Sequence, residues 1–467
     1  MSKLAPLVFI LAVLWLFSPD KQLFAVSCAL LLFLVKHSWR ENEPKVVFLG
    51  IVLYWLTVCT LLLYGVIFNR PMVELTLTPE TFVYTTYLAL TATFFYGSGL
   101  LLAIKKVRSP TVATLVAELQ NYDGRKLLLF YSLYSLFCSS FGKIVLLLGG
   151  ISQAGIAIIW FKWAFLSLLI IHTLLIPANQ KWVNLILLIE IVLSFGGFWS
   201  SFKDYFFIAA ASFLTFTTTI NFRRVLIMAT LAVSVFFLMV VWTVVKGEYR
   251  QYLTGGRRTQ VVEQQSTLTN LEKLSDLVKV DFTGEKFSEN FSRGVQGLAN
   301  RVNYTEYFAM SVRQVPAILP FENGALLLGG FEHVFKPRLF FPEKKSIDDS
   351  EMTSKYTGRR FAGAAQGTSF SLGQVAERYI DYGPVYMFIP IFFFGVLLGV
   401  IYKYIINHSL NHILGLAFVA PLFFLIPSLG VATTKFLGWL FTYFIVWFFF
   451  NKYGMRPLHN FLLKKSE

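Results

Sequence analysis

Read from the amino terminus, the chain alternates long apolar runs with short polar breaks, and most of the runs are long enough to cross a membrane. A spanning helix needs ~20 mostly apolar residues, with polar flanks marking its ends. That rule predicts twelve spans: Leu4–Ser18, Gln22–Val35, Val46–Phe68, Phe82–Ile104, Leu127–Leu148, Gly155–Ile176, Trp182–Phe198, Tyr205–Ile220, Val225–Val245, Pro384–Tyr402, Ile413–Leu429 and Thr434–Phe450. The first two are short and also fit a helical hairpin. From Lys246 to Gly383 the pattern changes. Leu268, Leu271, Leu274 and Val278 recur at helical spacing and predict an amphipathic helix. A second helical stretch over about 287–315 ends before Pro316 and carries Arg293, Gly297, Arg301 and Tyr304 on one face. The expected fold is an all-α polytopic membrane protein of about 12 transmembrane helices. Nine lie in residues 1–245, a long, partly helical loop follows over 246–383, and three more helices in 384–451 precede a tail at 452–467.

Composition agrees with this reading: 56% of residues are hydrophobic and only 14% charged, against roughly 25% charged in an ordinary soluble domain. Soluble, disordered and collagen-like classes are excluded. The net charge of +15 would suggest nucleic acid in a soluble protein. Here it is first tested against the bias of Lys and Arg toward cytoplasmic loops. With the amino terminus inside, the inner loops and tail hold Lys3, Lys36, Arg40, Lys45, Lys105, Lys106, Arg108, Arg125, Lys126, Lys181, Arg223, Arg224, Lys403, Lys452, Arg456, Lys464 and Lys465, seventeen in all. The short outer loops hold four, Lys21, Arg70, Lys203 and Lys435. Both termini are therefore expected in the cytoplasm and the long loop outside it. That loop has eighteen cations against sixteen acids, a net of +2, so no nucleic-acid partner is called for. The amino-terminal run reads as a first span rather than a removed signal peptide. Cys28, Cys59 and Cys138 all lie in apolar runs, where disulfides are not expected.

Candidate chemistry concentrates in the long loop. Lys246 and Arg250 stand one helical turn apart where the ninth span emerges, which suits either interfacial anchoring or binding of a lipid-linked phosphate. Lys336, Arg338, Lys344, Lys345, Lys355, Arg359 and Arg360 form a second group of seven cations against four acids. The positive-inside bias does not recruit cations to that face, although a solvated surface also accounts for a charge run. Glu377 and Asp381 are four apart beside Arg378 and fit either a proton acceptor for a hydroxyl or a structural cap. Within the spans, Lys143, Lys162, Glu190 and Asp204 suggest an outward polar cavity or a buried ion pair, with Lys143 a partner for Glu190. No Walker loop, dinucleotide turn or zinc-type spacing is present, so neither a cofactor nor a metal is expected.

One ordered segment now stands out. Lys336-Pro-Arg338-Leu-Phe-Phe-Pro342-Glu-Lys344-Lys345 is followed by Gly358, Thr368-Ser369, Gly373, Glu377-Arg-Tyr379, Tyr382-Gly383 and a span containing Gly395. Over about fifty residues this resembles the Wzy-type O-antigen and exopolysaccharide repeat-unit polymerases, and Arg313 to Gly324 matches a loose arginine–glycine pattern of their loops. Pro384 departs from the family, where a second glycine is more usual. The resemblance implies a GT-C-like membrane glycosyltransferase of the bacterial inner membrane. Its substrate would be an oligosaccharide on undecaprenyl pyrophosphate, its surroundings membrane lipids, and a chain-length regulator protein is a further partner it suggests. By the same resemblance Arg250, Arg301, Arg338 and Arg359 would hold pyrophosphate, with Lys246, Lys344, Arg360 and Lys143 adding charge. Glu377, and after it Asp381, would serve the acceptor hydroxyl, with Arg338 aiding departure of the leaving group. An O-antigen ligase type, or a flippase or transporter of lipid-linked sugars, are the alternatives.

Overall fold

The computed structural model describes residues 5–464 apart from 41, 108–109, 197–201, 217–221, 258–265, 337–339, 342, 345–347, 364–367 and 428–429. Its regular structure is helical, with one isolated bridge between Tyr122 and Leu463. The first helices are α1 (Ala5–Leu16), α2 (Lys21–Ser38), α3 (Val46–Phe68), α4 (Pro79–Ile104), α5 (Val112–Gln120), α6 (Gly124–Ile144) and α7 (Ser152–Leu175). Then come α8 (Gln180–Leu193), α9 (Phe202–Phe213), α10 (Phe222–Leu253), α11 (Thr267–Asp281), α12 (Lys286–Val302), α13 (Thr305–Gln314) and α14 (Ala325–Phe335). The last are α15 (Asp349–Thr357), α16 (Gln374–Tyr386), α17 (Phe388–His408), α18 (His412–Val419), α19 (Thr433–Phe449) and α20 (Met455–Leu462).

Eight described helical stretches are long and apolar enough to cross a membrane: α2, α3, α4, α7, Pro177–Gly196 around α8, the main part of α10, α17, and Thr433–Leu462 from α19 into α20. Twelve were expected, and the other four runs differ as follows. The described parts of α1 and α9 have 12 residues each, about 18 Å at 1.5 Å per residue, and residues 1–4, 197–201 and 217–221 beside them lie outside the described residues. Helix α6 is long enough, but Ser132, Ser135, Ser139, Ser140 and the cations Arg125, Lys126 and Lys143 dilute its apolar character. The eleventh run breaks after Val419 into a 3-10 turn containing Pro421, and its residues are buried in protein, where non-helical backbone is shielded from lipid. The tenth starts later than expected, because Gly383 (φ 70, ψ −175) and Pro384 break α16 and the span begins at Phe388. The carboxyl-terminal tail is not loose: α20 buries Met455, Leu458 and Leu462, and Lys464 N–H donates to Asn121 O.

Small residues set the closest helix contact, between α4 and α17. A Cβ on Gly395 would lie 2.0 Å from Tyr96 O, one on Gly99 2.2 Å from Phe392 O, and one on Gly399 2.6 Å from Ala103 Cβ. Backbone therefore meets backbone, as small-residue pairs in membranes allow. A second device is polar. Lys162 of α7 pairs with Glu190 of α8 at 2.8 Å, Tyr131 of α6 donates to Glu190 at 2.9 Å, and Lys162 donates to Tyr205 of α9 at 2.7 Å. One ion pair thus ties α6, α7, α8 and α9 at a common depth. Glu190 pairs with Lys162; the Lys143 side chain, expected as its partner, lies outside the described residues.

In the loop, α11 forms where its leucine spacing predicts. The second predicted helix divides at Asn303 into α12 and α13.

Two outcomes test this packing. Gly395→Val drives a side chain into the α4 backbone and should lower stability by about 1–3 kcal/mol or more, read as earlier thermal loss of the monodisperse protein in detergent. Lys162→Met should cost about 3–5 kcal/mol by stranding Glu190, and the double variant Lys162→Met/Glu190→Leu should recover most of it.

Candidate functional site

Helix α12 lies flush along α10 because it turns glycines toward it. A Cβ on Gly294 would meet Val240 Cγ1 at 2.8 Å, and one on Gly297 would meet Thr243 Cγ2 at 3.1 Å. One turn beyond Gly297, this contact brings Arg301 beside Lys246 and Arg250, close enough for the three charges to act on one another directly. Among the described residues no carboxylate pairs with Lys246 or Arg301. The apolar stretch of α10 runs 28 residues from Leu226, about 42 Å, which exceeds a hydrocarbon core of about 30 Å. The stretch is therefore longer than one crossing needs, and Lys246 and Arg250 lie in its last two turns. Arg301 also acts on Tyr304. Tyr304 packs against Gly430, where a Cβ would lie 2.4 Å from the ring. The next residue, Val431, accepts a hydrogen bond from Gln374 N–H at 2.9 Å, so the cation cluster borders the start of α16.

Helix α16 is buried along almost its whole length, and its charges hold neighbouring helices. Asp381 accepts from the N–H groups of Leu326 and Leu327, both at 2.9 Å, and so caps α14. Glu377 accepts from Thr433 N–H at 3.1 Å and caps α19. Between them Arg378, 0% exposed, reaches Asp381 at 3.3 Å and Glu377 at 3.5 Å and lies over the Phe394 ring. Carboxylates at helix amino termini complement the partial positive charge there. Burial pushes the Glu377 carboxyl above its ordinary range, against the pull of Arg378 and the Thr433 amide. The two carboxylates named from sequence as proton acceptors are thus engaged in capping, and Asp381 is 1% exposed.

A set of residues beside Glu377 escaped the sequence reading. Lys435, in the first turn of α19, pairs with Asp349 at the start of α15 and donates to Ser369 at 3.0 Å and Ser371 at 3.3 Å. Ser371 donates to Asp349 at 2.6 Å. Asp349 in turn acts on Glu377. The Lys435 side chain is 36% exposed, whereas Asp349 and Ser371 are buried. One signal for it was available: Lys435 is a lone cation at the start of an apolar run, on the face that the positive-inside bias leaves poor in cations.

The remaining candidates scatter. Lys344 turns its ammonium onto the carbonyls of His333 and Lys336 and so caps the carboxyl end of α14. Arg359 and Arg360 are exposed just beyond α15, and no described contact joins them to the cation cluster. Arg338 lies outside the described residues.

Because burial raises the Glu377 pKa, the folded state binds that proton more tightly than the unfolded chain does. Its contribution to stability is therefore retained at low pH and lost as pH rises past the ordinary Glu range. Glu377→Gln keeps an acceptor for Thr433 N–H and removes the titration. Melting curves between about pH 4 and pH 8 should fall more steeply for the wild type than for this variant.

No curated protein and no solved structure matches the chain. Residues 85–450, from the second turn of α4 through α19, match the family described as a domain of unknown function, DUF8712. That match takes in the cation cluster, α16 and Lys435, and the chain belongs to this family.

Proposed function

We propose that this protein polymerises oligosaccharide repeat units carried on undecaprenyl pyrophosphate, at the outer face of a bacterial inner membrane. The observation that carries the reading is the convergence of Lys246 and Arg250 from α10 with Arg301 from α12, cations some fifty residues apart in sequence. A lipid pyrophosphate leaving group bears concentrated negative charge, and clustered Arg and Lys at the membrane surface stabilise its departure. No nucleotide or metal is needed for such a transfer.

The placement of this cluster outside the cytoplasm rests on the cation count together with the packing. The eight apolar stretches alone do not alternate correctly: Lys105 and Lys106 put the end of α4 inside, whereas Lys181 requires α7 to start outside. Crossings by α6, α9 and α18, with α1 at the amino end, restore alternation and twelve passes. The Lys162–Glu190 network supports this, since it sets α6 and α9 beside α7 and α8 at one depth. It also closes Glu190 in a static ion pair, which leaves a transport path through that residue without support. Lys435, exposed and held by the buried Asp349 beside Glu377, is placed to receive the acceptor sugar, with Glu377 and Asp381 fixing the helices that form the site.

Purified protein supplied with its lipid-linked repeat unit should produce a ladder of chain lengths; a single transfer to a different acceptor would mean ligase chemistry instead. Arg301→Ala should slow chain growth by about 100-fold while the protein stays folded. Unchanged growth in that variant would refute the assignment of the leaving-group site.

A further inference from the structure

Four aromatic rings join the cation cluster to the Asp349–Lys435 set. Tyr304, which Arg301 and Gly430 flank, lies 5.7 Å from Tyr307, Tyr307 lies 5.5 Å from Phe361, and Phe361 lies 5.3 Å from Phe370. Phe370 is followed directly by Ser371 and preceded by Ser369, both within reach of the Lys435 ammonium. The strip thus begins at one charged site and ends at the other.

The rings are held in place from behind. Helix α15 presents a row of hydroxyls to the segment that carries both phenylalanines. Ser350 Oγ accepts from Phe370 N–H at 2.9 Å, Thr353 Oγ1 donates to Phe370 O at 2.7 Å, and Ser354 Oγ accepts from Phe361 N–H at 3.0 Å. Gly358, at φ 70, ends α15 with no room for a side chain, since a Cβ would sit 1.8 Å from Gln314 Nε2 at the end of α13. That close approach seats Phe361 against Tyr307. Phe370 nonetheless remains 36% exposed, and Tyr304, Tyr307 and Phe361 are half-buried. Backbone pinning of a partly exposed phenylalanine costs conformational entropy, and a core residue would have withdrawn from solvent instead. Among the described residues neither the Tyr304 nor the Tyr307 hydroxyl makes a hydrogen bond.

We infer that this strip is a glycan track: a surface on which successive pyranose units of the growing chain lie between the pyrophosphate site and the acceptor site. The C–H faces of pyranose rings are apolar and slightly positive, and they stack on the electron-rich faces of aromatic rings. Sugar hydroxyls project from the ring edges, where the free phenols of Tyr304 and Tyr307, the Ser369 hydroxyl and Lys435 can bond them. A strip of this kind is tolerant of sugar identity and keeps a polymer in register while its end reacts. The inference rests on the proposed polymerase reading but makes a separate claim, that these four rings bind carbohydrate.

The test uses the full-length protein in lipid nanodiscs. The probe is the surface polysaccharide of the source cell, cleaved to short fragments and labelled with a fluorophore. Wild type should bind the fragments, Phe370→Ala and Tyr307→Ala should each weaken binding by about tenfold, and Tyr307→Phe should keep most of it because the ring remains. Phe370 is exposed enough for its removal to leave the fold intact, which the melting curve checks. Binding by wild type that neither alanine variant changes would overturn the track and leave the polymerase reading standing. Loss of binding in the variants, together with no chain growth on lipid-linked units by wild type, would keep the track and refute the polymerase. Failure of wild type to bind any fragment would overturn both. Contact of Phe370 with spin-labelled phospholipid, with no effect on glycan binding, would assign the strip to the bilayer and overturn the inference.

Discussion

The packing around α16 is organised by one buried cation. Taking a guanidinium fully out of water costs several kcal/mol unless charge nearby offsets it. For Arg378 the offset comes from Glu377 and Asp381 and from the face of Phe394. Among the described residues none of its three side-chain nitrogens makes a well-directed hydrogen bond, so the attraction is Coulombic rather than a forked pair. Two negative charges against one positive would leave an excess, and helix geometry absorbs it. Each carboxylate is also bonded to the amide end of another helix, α19 through Thr433 and α14 through Leu326 and Leu327, where the peptide dipoles favour negative charge. Three helices are therefore locked by a set of charges that is neutral only when every member is present.

The rest of the proposed site depends on that lock. With α19 held by Glu377, Lys435 is fixed two residues along from the capped amide, and its ammonium is delivered to Asp349, Ser369 and Ser371. The same start of α19 follows Val431, which receives Gln374, and Gly430, which receives Tyr304. The cation cluster on α10 and α12 is thereby coupled to α16 through packing rather than through charge. Helix α13 is tied down at its other side as well: Glu306 accepts from Thr76, Leu77 and Thr78 in the connection before α4. The loop helices are thus seated on the membrane bundle from two directions.

Periodicity made part of this legible. The 3.6-residue spacing of Leu268 to Val278 specified α11, because that spacing is a property of one helix face. Hydropathy alone does not distinguish regular spans from irregular ones, since an apolar window does not register whether Pro421 interrupts a helix or whether serines dilute one. The partnership of Lys246 and Arg250 was visible at one-turn spacing, and Arg301 was visible as a candidate. What joined them was the pair Gly294 and Gly297, whose meaning appears only when α12 is laid on α10. Asp349 and Ser371 were hidden for a different reason: Asp349 sits in an acidic run and Ser371 in a serine-containing loop, and only tertiary contact with Lys435 distinguishes them.

The same logic separates the cations by role. Arg378, buried, and Lys162, half-buried, are each paired with carboxylates supplied by the chain, and such cations hold helices together. Lys344 is spent on helix carbonyls. Lys246 and Arg301 instead face like charge. Like charges brought together repel, and the fold gains nothing in stability from that arrangement. Glycines on α12 create it all the same, by a packing contact that would be equally good with neutral residues at both positions. A fold that accepts repulsion at its surface is lowered in free energy when an anion arrives, so the unfavourable contact in the empty protein becomes differential binding in the loaded one. The pyrophosphate of the proposed substrate would supply that charge at two adjacent centres, matching cations contributed by two separate helices.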